Sequence, residues 1–176
     1  DVFGEIAHDL TDRLELTAGL RWTKEKKTAG YFAIAGQNGQ PASGLVVPLN
    51  NGQRFDSDSF NFDDFTWRFA AVYDLNESTN LFANYARGRR PEVITRSGTE
   101  FDNINSEIVD SVEVGLYTSL ENTYFQGSVF YADYSNFQTT RLIPGEVDPV
   151  IEDAGSATQY GVELQLDRSF NEILSV

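Results

Sequence analysis

The chain has 176 residues, of which 40% are hydrophobic and 13% aromatic, and its formal net charge is −14. Such an acidic chain offers no basic face for a nucleic-acid backbone, so we expect no nucleic-acid partner. It also contains no run of about eighteen apolar residues, which excludes a transmembrane helix. Composition does not exclude a membrane β-barrel, because only alternate residues of each barrel strand need be apolar.

The first predicted hairpin joins residues 2–10 to residues 14–23 through a short turn. In its second strand every other residue is apolar: Leu14, Leu16, Ala18, Leu20 and Trp22. This period of two predicts a strand with one apolar and one polar face. Trp22 lies at the strand end, where the aromatic girdle of a membrane barrel is expected, although a core Trp of a soluble sheet would fit the same pattern.

Further strands follow along the chain. A second hairpin is predicted from residues 65–73 and 81–88, and a third from residues 111–119 and 124–137. Aromatic residues fall on both faces of residues 124–137, so this strand is predicted from β-propensity and from the turn before it. Residues 159–166 alternate clearly and give a seventh strand, and residues 173–176 begin an eighth.

The segments between these hairpins are much longer than the turns within them. They cover about forty residues (24–64), about twenty (89–110) and about a dozen (139–152), against the two to five residues of a hairpin loop. Short turns at one end and long loops at the other are typical of a transmembrane β-barrel, with turns in the periplasm and loops outside. A soluble antiparallel sheet shares the period of two, so the turn asymmetry is what favours the barrel.

No catalytic constellation is apparent, and we predict no enzyme activity, no cofactor and no metal site. The single His residue, His8, allows neither a His-based triad nor a multi-His metal site, and the chain has no Cys. Four carboxylates in the longest loop lack the spacing and the central Gly of a calcium loop, so a solvated acidic loop is favoured. They are Asp56, Asp58, Asp63 and Asp64.

Arginines are concentrated where one predicted strand enters its loop. Their guanidinium groups could hold an anionic ligand or lipopolysaccharide phosphates, or could form salt bridges with neighbouring Asp and Glu, which is the favoured interpretation. Together with two aromatic residues of the longest loop, they form our set of candidate ligand contacts: Tyr31, Phe32, Arg87, Arg89, Arg90 and Arg96.

Five stretches occur in a characteristic order: FGEIA (3–7), LELTAGLRW (14–22), NLFANYARG (80–88), SVEVGL (111–116) and AGSATQYGVEL (154–164). Together they resemble the TonB-dependent outer-membrane receptors. The resemblance implies an all-β fold, an antiparallel up-and-down meander that forms an arc of about seven to eight strands from a roughly 22-stranded transmembrane β-barrel with a plugged lumen. The run from Arg89 to Glu92 departs from the Pro-Gly-rich run that often follows in this family.

From this resemblance we expect residues 1–176 to be a partial β-barrel domain of a larger receptor, with the plug domain absent, in the outer membrane of a Gram-negative bacterium. The implied function is active uptake of a scarce ligand, such as a ferric siderophore, cobalamin or an oligosaccharide, energised by the TonB complex through the missing plug region. Outer-membrane lipid and lipopolysaccharide are the other expected partners. Alternatives are a passive porin-like barrel and a soluble β-sandwich binding module.

In the barrel, apolar alternates would face lipid and polar alternates would face the lumen. The polar alternates expected there include Glu15, Arg21, Glu113 and Glu163.

Overall fold

In the computed structural model the backbone is described for residues 1–32, 45–46, 56–97, 100–142 and 150–169, and side chains for residues 1–29, 59–95, 103–142 and 151–169. The strands in these ranges are β1 (Val2–Thr11), β2 (Leu14–Phe32), β3 (Leu45–Val46), β4 (Asp56–Asn76), β5 (Thr79–Arg90), β6 (Val93–Ser97), β7 (Glu100–Ile104), β8 (Glu107–Leu120), β9 (Thr123–Ser135), β10 (Gln138–Arg141), β11 (Val150–Asp153) and β12 (Ser156–Arg168). Across these ranges, no helix has the length and apolar character needed to cross a membrane.

Seven long strands form one antiparallel sheet in the order β1-β2-β4-β5-β8-β9-β12. Each strand pairs with the next long strand of the chain, so the predicted up-and-down meander is confirmed. Two-residue turns at 12–13, 77–78 and 121–122 close one end of the sheet, as predicted. We call this the turn end. The predicted eighth strand, at residues 173–176, lies outside the described residues.

The opposite end, here called the loop end, contains more strand than predicted. β2 and β4 stay paired from Leu14↔Tyr73 as far as Tyr31↔Asp56, so the prediction that all of residues 24–64 form a loop is wrong. Cross-strand contacts explain the extension, since the Thr28 and Ser59 hydroxyl oxygens lie 2.9 Å apart. The other two predicted loops contain the short hairpins β6–β7 and β10–β11.

Register divides the sheet into two faces, because residues paired across strands lie on the same face. The first, the apolar face, carries exposed large side chains that include Leu16, Leu20, Phe69, Tyr85, Val112, Val129 and Val162. The second, the polar face, carries all four predicted polar alternates: Glu15, Arg21, Glu113 and Glu163. The described strands place no second sheet over the apolar face, and Trp22 is 37% exposed there, so the β-sandwich alternative and its core Trp are not supported.

The two-faced aromatic pattern of β9 has a local cause. Phe130 lies on the polar face opposite Gly161 of β12, and a Cβ on this glycine would lie 2.8 Å from the Phe130 ring. Phe82 covers Gly115 in the same way, at 2.6 Å. Each ring therefore fills the space beside a cross-strand glycine, and the space beside Gly161 lets β9 carry Phe130 on the polar face as well as aromatic side chains on the apolar face.

Candidate functional site

Arg87 lies on the apolar face near the loop end, where it is paired inside the chain. Its guanidinium forms a bidentate ion pair with Asp110, with Nε 2.8 Å from Oδ1, and lies 4.3 Å from the centre of the Trp67 ring. Trp67 and Asp110 are its register partners on β4 and β8. Aromatic stacking and a bidentate carboxylate together neutralise and hold this side chain.

Arg89 forms the centre of a buried ionic cluster. Its side chain is 6% exposed and contacts three carboxylates: Asp64 at 2.6 Å from Nε, Glu25 at 3.4 Å from Nη2, and the equally buried Glu92. Lys27 adds a second cation, since its ammonium lies 3.8 Å from Glu25 and donates to the Glu92 carbonyl. We call these five residues the Arg89 cluster. A buried charge requires such compensation, because desolvation of an unpaired ion is costly.

Gln138 ties the two short hairpins of the loop end together. This residue is 4% exposed, and its side-chain amide donates to the Pro91 carbonyl at 3.0 Å and to the Asn105 carbonyl at 2.9 Å. Its backbone N–H donates to Glu107 at 2.8 Å, and its carbonyl accepts from Arg90 at 3.2 Å. One side chain therefore links the chain before β6, the chain after β7 and the start of β10.

Asn136 lies between the end of β9 and Gln138. Its φ of 53° lies in the left-handed region, which Asn tolerates better than most residues. Its side-chain amide donates to the Ser106 carbonyl at 3.1 Å, and the Ser106 hydroxyl donates to Asp64 at 3.2 Å. These two hydrogen bonds connect the segment just before Gln138 to Asp64 of the Arg89 cluster.

The predicted site residues are thus brought together only in part. Arg87, Arg89 and Arg90 are all engaged in contacts within the chain, as the salt-bridge interpretation expected. The backbone of Tyr31 and Phe32 continues β2 and pairs with β3, and Arg96 pairs with Phe101 in the β6–β7 hairpin; all three side chains lie outside the described residues.

The carboxylates predicted to form a solvated acidic loop do not all fit that prediction. Asp64 is not a solvated loop residue, because it is an ion-pair partner of the largely buried Arg89 side chain. The side chains of Asp56 and Asp58 lie outside the described residues. Over the described ranges, no group of three or more His, Cys, Asp or Glu side chains is arranged to hold a metal ion.

Sequence reasoning missed Gln138 and Glu92. Neither residue belongs to a motif, and each acquires its role from partners far along the chain, such as Pro91 for Gln138. The one available signal was the concentration of charged residues where β5 enters the loop end.

Comparison with known proteins identifies the fold. A family model for the TonB dependent receptor-like β-barrel matches residues 1–176. The pesticin receptor of Yersinia enterocolitica is 23% identical over 167 residues, which cover 93% of this chain and 22% of that protein.

Solved structures agree with this match. The ferric yersiniabactin uptake receptor of Yersinia pestis superposes with a TM-score of 0.74 at 20% identity, over 97% of this chain and 24% of that one. For the ferric-catecholate import receptor of Escherichia coli K12 the TM-score is 0.66 at 17% identity, over 97% of this chain and 25% of that one. The chain spans about a quarter of the length of these relatives. Because the family model covers every residue, the chain belongs to the TonB-dependent receptor β-barrel family, whose members are transport receptors and not enzymes.

Proposed function

We propose that this chain is part of the barrel wall of an outer-membrane active transport receptor that takes up a ferric siderophore and is energised by the TonB complex. The observation that carries the proposal is the match of the family model to residues 1–176, together with relatives described as ferric yersiniabactin and ferric-catecholate receptors. The plug and the TonB contact would belong to other parts of a longer protein from a Gram-negative bacterium.

The dimensions of the apolar face support a membrane location. Tyr73 lies near the turn end and Phe65 and Trp67 lie toward the loop end, so aromatic residues lie near both ends of the apolar stretch of β4. The eight residue-to-residue steps from Tyr73 to Phe65 span about 27 Å along the strand. At a strand tilt of about 40° this gives about 21 Å across the membrane, close to the ~25 Å apolar band of outer-membrane barrels.

The loop end supports a ligand-binding role because its chain segments are held in fixed positions. The Arg89 cluster joins β2, β4 and the start of the β6–β7 hairpin, and Gln138 joins that hairpin to β10. A preorganised surface loses less conformational entropy when a ligand binds. Tyr31, Phe32 and Arg96 remain our predicted ligand contacts at this end.

Uptake by the full-length receptor tests this proposal. A host lacking its own siderophore receptors would express the receptor, and uptake of radiolabelled ferric siderophores and of cobalamin would be measured with and without TonB. We expect TonB-dependent uptake of a ferric siderophore. Uptake that persists without TonB would favour a passive porin. Selective uptake of cobalamin would show that the ligand is cobalamin and not a ferric siderophore.

A loop variant tests whether residues 33–54 take part in ligand recognition. Tyr31 pairs with Asp56, so an Asn-Gly turn in place of residues 33–54 can close the β2–β4 hairpin. We expect loss of uptake with a heat-modifiable barrel still present in the outer membrane. A Gly-Ser replacement of equal length serves as the comparison, and full uptake by either variant would show that residues 33–54 do not contribute to recognition.

A further inference from the structure

The ribbon formed by β9 and β12 changes character where it leaves the barrel wall. The last pair of its ladder is Ser135↔Ser156, and the ladder of the β10–β11 hairpin begins three residues further along each strand. Two residues of each strand therefore lie between the two ladders. We call these residues, 136–137 and 154–155, the junction.

Both strands of the junction leave the extended conformation at the same level. Asn136 has a φ of 53°, and Gly155, which lies opposite it, has a φ of 91°; no other described residue has a positive φ. Two backbone hydrogen bonds hold the junction together, from the Phe137 N–H to the Gly155 carbonyl at 2.9 Å and from the Ala154 N–H to the Phe137 carbonyl at 2.8 Å. A few residues of irregular backbone between two regular ladders have the geometry of a hinge.

The β11 side of the junction leaves room for movement. Ala154 and Gly155 are exposed, and a Cβ on Gly155 would meet no atom within 4 Å. Nearby contacts stay within the hairpin, since Arg141 pairs with Glu152 and the Gly155 N–H donates to Asp153. These contacts can move together with the hairpin.

The β10 side is held by contacts to the base of the β6–β7 hairpin. Gln138 and Asn136 donate four hydrogen bonds, one to the Pro91 carbonyl and three to residues 105–107, with lengths of 2.8–3.1 Å. We call these four hydrogen bonds the latch. They join the junction to both ends of the neighbouring hairpin.

The latch leaves one polar atom without a partner. The side-chain oxygen of Gln138, Oε1, is buried and accepts no hydrogen bond from the described residues. A buried acceptor without a partner costs free energy that contact with water would recover. Release of the latch would expose this oxygen, so the latch is weaker than its four hydrogen bonds alone imply.

We infer that the β10–β11 hairpin is a flap, which pivots at the junction and is held against the β6–β7 hairpin by the latch. In the latched position β11 lies beside β6 and β7. Because Pro91 and residues 105–107 form the two ends of β6–β7, release of the flap also loosens that hairpin. This conformational device goes beyond the proposed function, since it requires neither a ligand nor the TonB complex.

Distances between spin labels in the full-length receptor, reconstituted in nanodiscs, test the flap. Residues 1–176 contain no Cys, so labels can be attached at Leu142→Cys, just after β10, and at Tyr160→Cys on the wall, where both native side chains are exposed. Leu142 lies about 20 Å along the chain from Asn136, so a swing of about 30° would move it by about 10 Å. Electron paramagnetic resonance resolves a displacement of this size.

Substitution of Gln138 tests the latch. Gln138→Glu places a carboxylate against the carbonyl groups of Pro91 and Asn105, and should raise the ratio of released to latched flap by about thirtyfold or more. Gln138→Met, which removes the amide without adding charge, should change the distances in the same direction. Gln126→Glu is the control, because Gln126 already accepts from the Tyr124 hydroxyl at 2.8 Å. Distances that stay as in the control for both Gln138 variants overturn the inference.

Substitution of Gly155 tests the pivot separately. Gly155→Val removes no side-chain contact but disfavours a φ of 91°, so the distance from Leu142 to Tyr160 should change. Gly4→Val, at an equally open site with ordinary backbone, should leave that distance unchanged. An unchanged distance in Gly155→Val refutes the pivot.

A second pair of labels, Leu16→Cys and Tyr160→Cys, lies entirely on the wall and should keep its distance in every variant. If the wall distance changes together with the flap distance, the variants have disturbed the barrel and the flap is wrong. The transport test is independent of this one. A receptor that takes up siderophore while its flap never moves refutes only this inference, whereas a moving flap without uptake refutes only the proposed function.

Discussion

Ion pairs at the loop end differ sharply in how deeply their side chains are buried. The Arg89 side chain is 6% exposed and is surrounded by carboxylates, whereas Arg141 pairs with Glu152 at 2.9 Å with its side chain 60% exposed. Burial makes the pair between Arg89 and Glu92 mutually dependent, because the buried Glu92 carboxylate loses its compensation when the guanidinium is removed. Solvent screens the second pair.

Replacement of Arg89 should therefore be costly. We expect Arg89→Met to lower the free energy of unfolding of the full-length receptor by about 3–5 kcal/mol. Arg141→Met, the matched control, should change it by about 0–1 kcal/mol. Urea-induced unfolding in lipid vesicles measures both values. Equal losses of unfolding free energy in the two variants would show that the Arg89 cluster contributes no more to stability than an exposed ion pair.

At the scale of elements, the short hairpins β6–β7 and β10–β11 depend on contacts that are distant in the sequence. Gln138 reaches carbonyl groups of Pro91 and Asn105, in segments joined to it by no strand pairing. A hairpin of this size is marginal on its own, so it needs support from the rest of the molecule. Gln138 provides that support.

Loss of the Gln138 amide should loosen the hairpins without unfolding the barrel. In Gln138→Ala two part-buried hydrogen bonds, to the Pro91 and Asn105 carbonyls, are lost, which should lower the local opening free energy by about 2 kcal/mol and speed amide exchange about thirtyfold. Hydrogen exchange at residues 93–95 and 103–107 of the full-length receptor measures this. Gln159→Ala, at an exposed site on the polar face, is the control. If Gln138→Ala exchanges no faster than this control, the linking role is wrong.

The same distinction between near and distant contacts explains what the sequence could predict. The turn at 77–78 and the apolar alternation of Leu14 to Trp22 are local features, and both were predicted correctly. The extension of β2 beyond Lys24 depends on pairing with residues such as Ser59, about thirty positions away, and was missed. Salt bridging of Arg89 was expected, but its partners Glu25 and Asp64 were missed for the same reason, since they meet Arg89 only through the sheet.

At the scale of the whole molecule, the described sheet has two edge strands, β1 and β12, and an uncovered apolar face. β1 and β12 each pair with one neighbour among the described strands, and the apolar face carries large exposed side chains such as Phe3 at 78% and Tyr160 at 78%. An unpaired edge offers backbone groups to other chains, and an exposed apolar face favours association. In a complete barrel, neighbouring strands would cover the edges and lipid would cover the face.

Residues 1–176 produced alone should therefore aggregate in the absence of detergent, whereas the full-length receptor should fold into a heat-modifiable barrel in vesicles. Light scattering and the absence of a cooperative thermal transition would report aggregation of the isolated chain. A net charge of −14 does not prevent this, because the large exposed side chains of the apolar face and the two strand edges remain free to associate. A monomeric chain with a cooperative melt in buffer would show that the arc is self-sufficient, and would make the membrane unnecessary for its stability.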